Sequence, residues 1–359
     1  MMPQSLSRLA RSNDEARQTA TAAPIAFSYV TPAACALPEP AVSGHILAAV
    51  IHGAMDPSPR PWPQVRSGLR PLDGSGTIEL LHCSQAPRYA SHDGFDLAIT
   101  EEFLFAAWNP GAGDPAAAAA IPLEALAEVL YGRLFALIDR LGFPHLQRVW
   151  NVVPAINGTE RGMERYQRFC LGRHAAFDRH KPDIAGRYPS ASAVGSSWDS
   201  LCVYALAART PGQPIENPKQ VSAYNYPRQY GPKSPSFSRA LVRKWQESAC
   251  LFLSGTASIK GHESKHREAL SAQAEETLDN LANLVAAASQ ASGIEFSLDP
   301  ASSVLKAYVR RSSDHRAVSN LLDRHFGHRM KLLYLEADIC RAELLLELDG
   351  VVFSPPQAA

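Results

Sequence analysis

The sequence predicts an α+β fold with an internal duplication. Three observations point to it. An apolar stripe of helical period starts after Pro122 and leads into a strand, a second helix and a second strand, over about 120–210. The same order returns over about 270–352. The helix-to-strand connections also correspond, LGFPHLQRVWNVV in the first copy and ASGIEFSLDPASSVLKAYV in the second. A chain of 359 residues has room for two domains of ordinary size.

The elements follow in order. Residues 1–25 read as a disordered tail without the apolar core of a secretory signal. Residues 26–110 mix apolar runs at 44–51, 77–83 and 95–108 with turn-rich DPSPRPWP and DGSG, which predicts strands joined by long loops. The stretch 115–121, PAAAAAI, reads as a linker. Leu123, Leu126, Val129, Leu130, Leu134, Leu137 and Leu141 then line one helix face, and Gly142 stops it near the cap position. A strand at 148–153, a helix from 160 through 169 and a strand at 201–207 complete the first copy. The second copy has helices at 271–288 and 314–326 and strands at 303–310, 331–339 and 343–352. The expected division is an N-terminal unit at 26–210 with extra strands and loops, and a C-terminal unit at 211–359 carrying the active site.

Composition excludes several classes. Hydrophobic residues make up 46%, and 35 basic side chains balance 35 acidic ones, so no global field draws nucleic acid or an anionic membrane. No apolar run approaches the roughly 18–20 residues of a spanning helix. Six cysteines (Cys35, Cys83, Cys170, Cys202, Cys250, Cys340) are scattered without a C-x-x-C pair, which points to reduced thiols and a cytoplasmic protein. There is no Walker loop, no G-x-G-x-x-G after a strand and no G-x-S-x-G.

Any anion binding must therefore be local, and 216–239 is the stretch suited to it. ENPKQVSAYNYPRQYGPKSPSFSRA interleaves Tyr224, Tyr226 and Tyr230 with Arg228 and Lys233, on a backbone stiffened by Pro218, Pro227, Pro232 and Pro235. Arginine forks match carboxylates, and tyrosine hydroxyls donate without adding charge. Arg165, Arg173, Tyr224, Tyr226, Arg228 and Tyr230 are candidate carboxylate binders, although surface arginines and packing tyrosines would read the same way. Residues 251–259 read as a buried strand entering a Gly/Ser/Thr turn. HESKH at 262–266 matches H-E-x-x-H literally, but zinc chemistry needs both histidines on one helix face, and Gly261 directly precedes the motif.

Several segments carry a family resemblance. The helix SAQAEETLDNLANLVAAA, with Gln273 and Asn280, and the ending YLEADICRAELLLELDGVV resemble the RidA/YjgF small-domain family. VWNVVPAIN with ERYQRFCLGRHAAF, the 216–240 segment, LFLSGTASIKGHESKH and CRAELLLELD together resemble the chorismatase family, enzymes that cleave chorismate. That resemblance implies two RidA/YjgF-like modules side by side, each a mixed sheet packed with helices, around a pseudo-trimer-like core. It implies a single small-molecule substrate, chorismate, with neither nucleic acid nor membrane as partner. It also implies a reaction that needs no metal and no organic cofactor. Fusion of two modules lowers the need for a trimer, so a monomer is expected.

The resemblance also assigns roles. In LLLELD, strand alternation sets Glu347 and Asp349 opposite Leu346 and Leu348, and the family's catalytic Glu matches Glu347. Burial there would raise the carboxyl pKa, as an acid requires; an ordinary half-solvated strand has the same pattern. Ala257, in SGTAS, corresponds to a small residue that helps select product, and alanine there goes with the hydrolytic branch. Cys340 is expected to line the same pocket, and Arg341 and Arg329 compete for the carboxylate-binding Arg of RidA relatives. The expected products are pyruvate with 3- or 4-hydroxybenzoate, or pyruvate with a trans-dihydroxycyclohexadiene carboxylate. Imine deamination, metabolite binding without turnover and a zinc hydrolase are the alternatives.

Overall fold

The structure, a computed structural model, describes residues 23–30, 44–55, 58–74, 76–108, 121–184 and 186–355. The expected tail up to residue 22 and the linker residues 115–120 lie outside them. The chain opens with β1 (Ile25–Val30), β2 (His45–Gly53), β3 (Gln64–Arg66), β4 (Arg70–Pro71) and β5 (Gly76–Cys83). All but β4 form a four-stranded sheet in the order β1-β5-β2-β3. The next stretch runs β6 (Arg88–His92), β7 (Phe95–Ile99), β8 (Phe103–Trp108), α1 (Leu123–Arg140) and β9 (His145–Pro154). A hairpin of β10 (Thr159–Glu160) and β11 (Met163–Glu164) precedes α2 (Arg165–His180), β12 (Ser190–Ser196) and β13 (Cys202–Ala208). The last stretch runs β14 (Gln213–Ile215), β15 (Ala240–Lys244), β16 (Ala249–Ala257), a hairpin of β17 (Ile259–Lys260) and β18 (Glu263–Ser264), and α3 (Leu270–Ser292). It ends with β19 (Ser303–Val309), α4 (His315–Phe326), β20 (Lys331–Glu336), β21 (Asp338–Ile339) and β22 (Leu346–Phe353).

The duplication is visible in the topology. One seven-stranded sheet has the order β21-β12-β9-β13-β8-β7-β6, the other β14-β15-β16-β22-β19-β20-β4. Counted from opposite ends they are the same sheet: a three-strand meander, the last strand, the strand after the first helix, then the strand after the second. The parallel pair of each falls at the same place, β9 with β12 and β19 with β20. The repeat therefore includes the meander, which the recurrence of helix, strand, helix and strand did not reveal. The seventh position is filled by exchange. β21 pairs with β12 of the other sheet, and β4 pairs with β20.

Several boundaries differ from the expected ones. The expected strand at 331–339 is cut at Ala337, because its end leaves to pair with β12. The helix expected from 160 starts at Arg165, since the hairpin turns through Arg161 and Gly162, both at positive φ. β12 went unread: its sequence SASAVGS has no apolar run to announce it.

Strand alternation explains the core. Leu104 and Ala106 of β8 face α1 and α2, while Phe103, Phe105 and Ala107 face the opposite way. Leu251 and Leu253 of β16 face α3, and Phe252 faces away. The faces turned from the helices meet the four-stranded sheet in one common core, where Phe27 lies 6.5 Å from both Trp150 and Phe252. Strands buried on both faces read as continuous apolar runs rather than alternating ones.

One polar cluster sits inside that apolar centre. Asp349 of β22 accepts hydrogen bonds from Arg148 of β9 (2.6 Å), Ser192 of β12 (2.6 Å) and Tyr308 of β19 (3.0 Å). Lys306 of β19 reaches Glu79 of β5 at 3.0 Å and Asp349 at 3.9 Å. Ser67 bonds the ring of His52, whose other nitrogen lies 3.7 Å from Glu79. The cluster thus joins all three sheets. Burial alone would raise Glu79, but Lys306 and His52 hold its carboxyl down at about 2. Removing one partner of a buried pair leaves the other charge uncompensated, so Arg148→Met is expected to lose about 3–5 kcal/mol in urea denaturation. Arg140→Ala, which breaks an exposed pair with Asp93, is expected to lose less than about 1 kcal/mol in the same assay.

Candidate active site

Glu347 is placed by its strand. β22 lies between β16 and β19, and Glu347 pairs in register with Ala257 on one side and Tyr308 on the other. Leu346 and Leu348 pack toward α3, which sends Glu347 and Asp349 to the opposite face. The entry to β22 is pinned from two directions. Gln273 of α3 accepts from the Leu345 N–H at 2.8 Å and donates to the Glu343 carbonyl at 2.9 Å. Arg310 donates to the carbonyls of Ile339, Arg341 and Leu344. Asn280 of α3 holds the carbonyls of Ala257 and Ile259.

The acid group is dry. Glu347 is 3% exposed, and its Oε1 has no hydrogen-bond partner among the described residues. Burial and then the charge of Asp349 raise its carboxyl to about 8, against the opposing pull of Arg148, Arg239 and Arg310. A carboxyl held protonated through neutral pH has a proton to give, as general acid catalysis requires.

A cavity of about 280 Å³ opens in front of it, at the small end of ligand pockets. Asn151, Arg173 and Ser192 of the first repeat line one side, and Ala257, Cys340, Arg341 and Glu347 of the second line the other. The 216–239 segment forms the roof with Tyr226, Tyr230 and Phe237, and its last residue, Arg239, directly precedes β15. Three guanidinium groups therefore enter one small space. Each is fixed by a partner and keeps a buried nitrogen that meets no acceptor among the described residues. Arg173 donates to the Ser236 carbonyl and leaves Nε and Nη2. Arg239 donates to the Tyr226 hydroxyl at 2.6 Å and leaves Nε. Arg341 donates to the His262 carbonyl, lies 3.9 Å from the Tyr230 ring centroid and leaves Nη2. Buried donors without acceptors are rare in native proteins, and donors aimed together into a cavity suit an anion with more than one carboxylate.

Of the residues singled out in the sequence, Glu347, Tyr226, Ala257, Cys340 and Arg341 line the cavity, as do Arg173 and Tyr230. The other three predicted site residues, Arg165, Tyr224 and Arg228, do not. Arg165 is engaged with Glu160 (2.6 Å) and the Pro154 carbonyl (2.7 Å), bracing the hairpin before α2. Tyr224 packs on Tyr188, with ring centroids 5.3 Å apart, and Arg228 is exposed on a short helical turn. Arg329 is exposed before β20. HESKH lies on the β17–β18 hairpin and just beyond, not on a helix, so its histidines share no helix face; His262 bonds the Tyr230 hydroxyl. Arg239 and Glu164 were not singled out, although Arg239 stands in SFSRA directly before an apolar run. Burial, and then repulsion from Glu343, raises the Glu164 carboxyl. Burial pushes the Cys340 thiol up to about 12, so it stays protonated.

The Glu347 proton also sets a stability signature. Its folded pKa of about 8 lies above the ordinary 4.5, so between those values the folded chain holds a proton the unfolded chain has lost. Stability falls as pH rises through that window and levels off above it. Glu347→Gln removes the effect. Its unfolding free energy, measured by denaturant titration from pH 5 to 9, is expected to gain on the parent by up to about 1.4 kcal/mol per pH unit until about pH 8.

Comparison with known proteins finds close relatives in sequence and fold. The family profile described as chorismatase FkbO/Hyg5-like, N-terminal, matches residues 79–207. A 3-hydroxybenzoate synthase of Streptomyces hygroscopicus is 36% identical over 230 residues, covering 62% of this chain and 67% of that protein. A chorismatase of Streptomyces rapamycinicus is 35% identical over 281 residues, covering 76% of this chain and 81% of that protein. The crystal structure of a chorismatase superposes with a TM-score of 0.81 at 29% identity, over 91% of this chain and 98% of that one. By sequence over most of its length and by fold, the chain belongs to the chorismatase family.

Proposed function

We propose that this protein splits chorismate into pyruvate and a hydroxybenzoate, with Glu347 as the general acid. One observation carries the reading: a buried, protonated carboxyl faces three fixed arginines with spare donors inside one small cavity. Chorismate is a compact dianion with a ring carboxylate and an enolpyruvyl carboxylate. Arg173, Arg239 and Arg341 hold the two carboxylates, and the Tyr226 and Tyr230 rings cover the roof. Glu347 gives its proton to the terminal methylene carbon of the enol ether. Positive charge develops on the adjacent carbon, stabilised by the ether oxygen, and water adds there. Collapse releases pyruvate and the ring diol. Loss of water from the diol then yields the hydroxybenzoate, so the water consumed is returned. Glu347 supplies the acid itself, and neither a metal nor an organic cofactor is required.

A second reading stops at the diol, trans-dihydroxycyclohexadiene carboxylate. The family resemblance ties it to Ala257, which lies directly opposite Glu347 in the ladder. We read the protein as a monomer, because both walls of the cavity come from one chain, and as cytoplasmic, in keeping with the free thiols of its described cysteines. No helix among the described residues is long and apolar enough to cross a membrane.

Purified protein with chorismate and a chelator, coupled to lactate dehydrogenase, tests the reading. Pyruvate is expected with chelator present, with kcat/KM falling above about pH 8 as Glu347 ionises. Glu347→Gln is expected to lose about 10²–10⁴-fold in kcat. Chromatography of the ring product against 3-hydroxybenzoate, 4-hydroxybenzoate and the diol decides the branch. A folded protein that releases no pyruvate sinks the proposal.

A further inference from the structure

Asn151 interrupts an apolar row. Val149 and Val153, on either side of it along the same face of β9, pack among the helices. Asn151 between them is 2% exposed and lines the cavity. A buried amide needs partners, and both of its ends have one. Tyr131 of α1 donates its hydroxyl to Oδ1 at 2.5 Å, and Nδ2 donates to the Ser192 carbonyl at 2.8 Å. These two bonds identify the oxygen and leave one Nδ2 hydrogen uncommitted. Tyr131 is fully buried, with the rings of Phe135, Phe169 and Phe177 centred 6.0 to 6.3 Å from its own. Burial, opposed by Arg173, raises its hydroxyl above the usual range, so it keeps the proton it donates. Its ring has a second neighbour: the Arg173 guanidinium carbon lies 5.0 Å from the centroid, within cation–π range.

We infer that Tyr131 is the positioning residue for this wall of the cavity: its hydroxyl turns the Asn151 amide so that only an N–H faces the substrate, and its ring carries the Arg173 guanidinium beside it. The inference rests on the cavity taking a carboxylate dianion. Tyr131 itself is not among the lining residues, so it acts through the two that are. An amide can offer a ligand either its oxygen or its nitrogen. For an anion only the nitrogen is useful, and an oxygen there would repel. Tyr131 occupies that oxygen from behind. Without the hydroxyl, Oδ1 is a buried acceptor with no donor, a costly state. The donors at hand are the spare Nε and Nη2 of Arg173, stacked on the same ring. An amide that swings to meet them withdraws its own N–H and consumes a guanidinium donor. One hydroxyl thus keeps two donors, Asn151 and Arg173, free for the same substrate carboxylate.

Tyr131→Phe removes one oxygen and keeps the ring. A hydrogen bond to a charged group is at stake, so KM for chorismate is expected to rise about 10-fold or more. Binding is lost rather than chemistry, so kcat is expected within about threefold of the parent. The alkaline limb near pH 8 is expected to stay in place, because Glu347 is untouched. Asn151→Ala is expected to raise KM by a similar factor. In that background Tyr131→Phe is expected to add nothing further, since the residue it acts through is gone. A tyrosine that only packs would lower the melting temperature and leave KM alone; that result overturns the inference, as do KM losses that multiply in the double variant. Should Tyr131→Phe not fold, Asn151→Asp decides: it has the same shape and still accepts from Tyr131, but it has no N–H for the cavity. Its KM is expected to rise at least as far as that of Asn151→Ala, and an unchanged KM overturns the inference. Calorimetric titration with benzene-1,3-dicarboxylate, a dianion that cannot react, needs no turnover. The parent is expected to bind it and the variants to bind it more weakly by the factors seen in KM; equal affinities, or no binding by the parent, overturn the inference. If the parent binds the dicarboxylate but releases no pyruvate from chorismate, the proposed reaction falls, while the titration still decides the role of Tyr131.

Discussion

The Arg148–Asp349 pair is the constraint on which the rest is hung. Both side chains are at most 1% exposed, 2.6 Å apart, and they come from different sheets. Taking two charges out of water is expensive, and the attraction between them repays it only when the remaining hydrogen bonds are also made. Here Ser192 and Tyr308 add hydrogen bonds to Oδ2 of Asp349, Lys306 stands 3.9 Å from its Oδ1, and Lys306 and Glu79 form a second balanced pair behind. This arrangement fixes the mutual placement of the sheets in a way that apolar packing alone would not. It also lets the Asp349 carboxylate sit two residues from Glu347 on the same strand face. That charge makes a second ionised carboxyl unfavourable nearby. The pair therefore holds the seam shut, and its Asp349 charge adds to burial, the larger cause, in raising the Glu347 carboxyl against the pull of Arg148.

The seam is where a duplicated fold can build something new. Each repeat satisfies its own helix-facing core, so the opposite faces are free to specialise. The first repeat contributes Arg173, Asn151 and Ser192, and the second contributes Glu347, Ala257 and Arg341. The 216–239 segment between the repeats closes the top. Its prolines and its contacts to the β17–β18 hairpin, such as Val221 to Gly261 at 2.9 Å, hold the tyrosines in place before any ligand arrives. Donors fixed in advance need no reorganisation when charge develops during reaction.

Much of this was legible in residues whose signal is local. The stripe from Leu123 to Leu141 and the alternation around Glu347 follow from helix and strand periods. What stayed hidden depends on tertiary contact. Arg148, Lys306 and Glu79 look like the polar positions of half-solvated strands, and only the meeting of three sheets shows that they are buried partners. Arg165 and Arg228 looked as suitable as Arg239, because a guanidinium's partners are chosen by the fold rather than by its neighbours in sequence. β12 was missed because its serines serve hydrogen bonds to buried side chains, so it carries no apolar periodicity.

β22 has a consequence for how the molecule comes into being. It follows every other described strand in sequence, yet it takes a place inside its sheet, between β16 and β19. As the ribosome delivers the chain, those two neighbours must wait with unpaired edges, the state most prone to wrong pairing. When β22 arrives it closes both edges and brings Glu347 and Asp349 with it. The Glu347 carboxyl and the counter-charge for Arg148 therefore enter the fold together, on one strand. A chain in which β22 has not docked lacks both the Glu347 wall of the cavity and the partner of Arg148, so closing the sheet and completing the cavity are the same event.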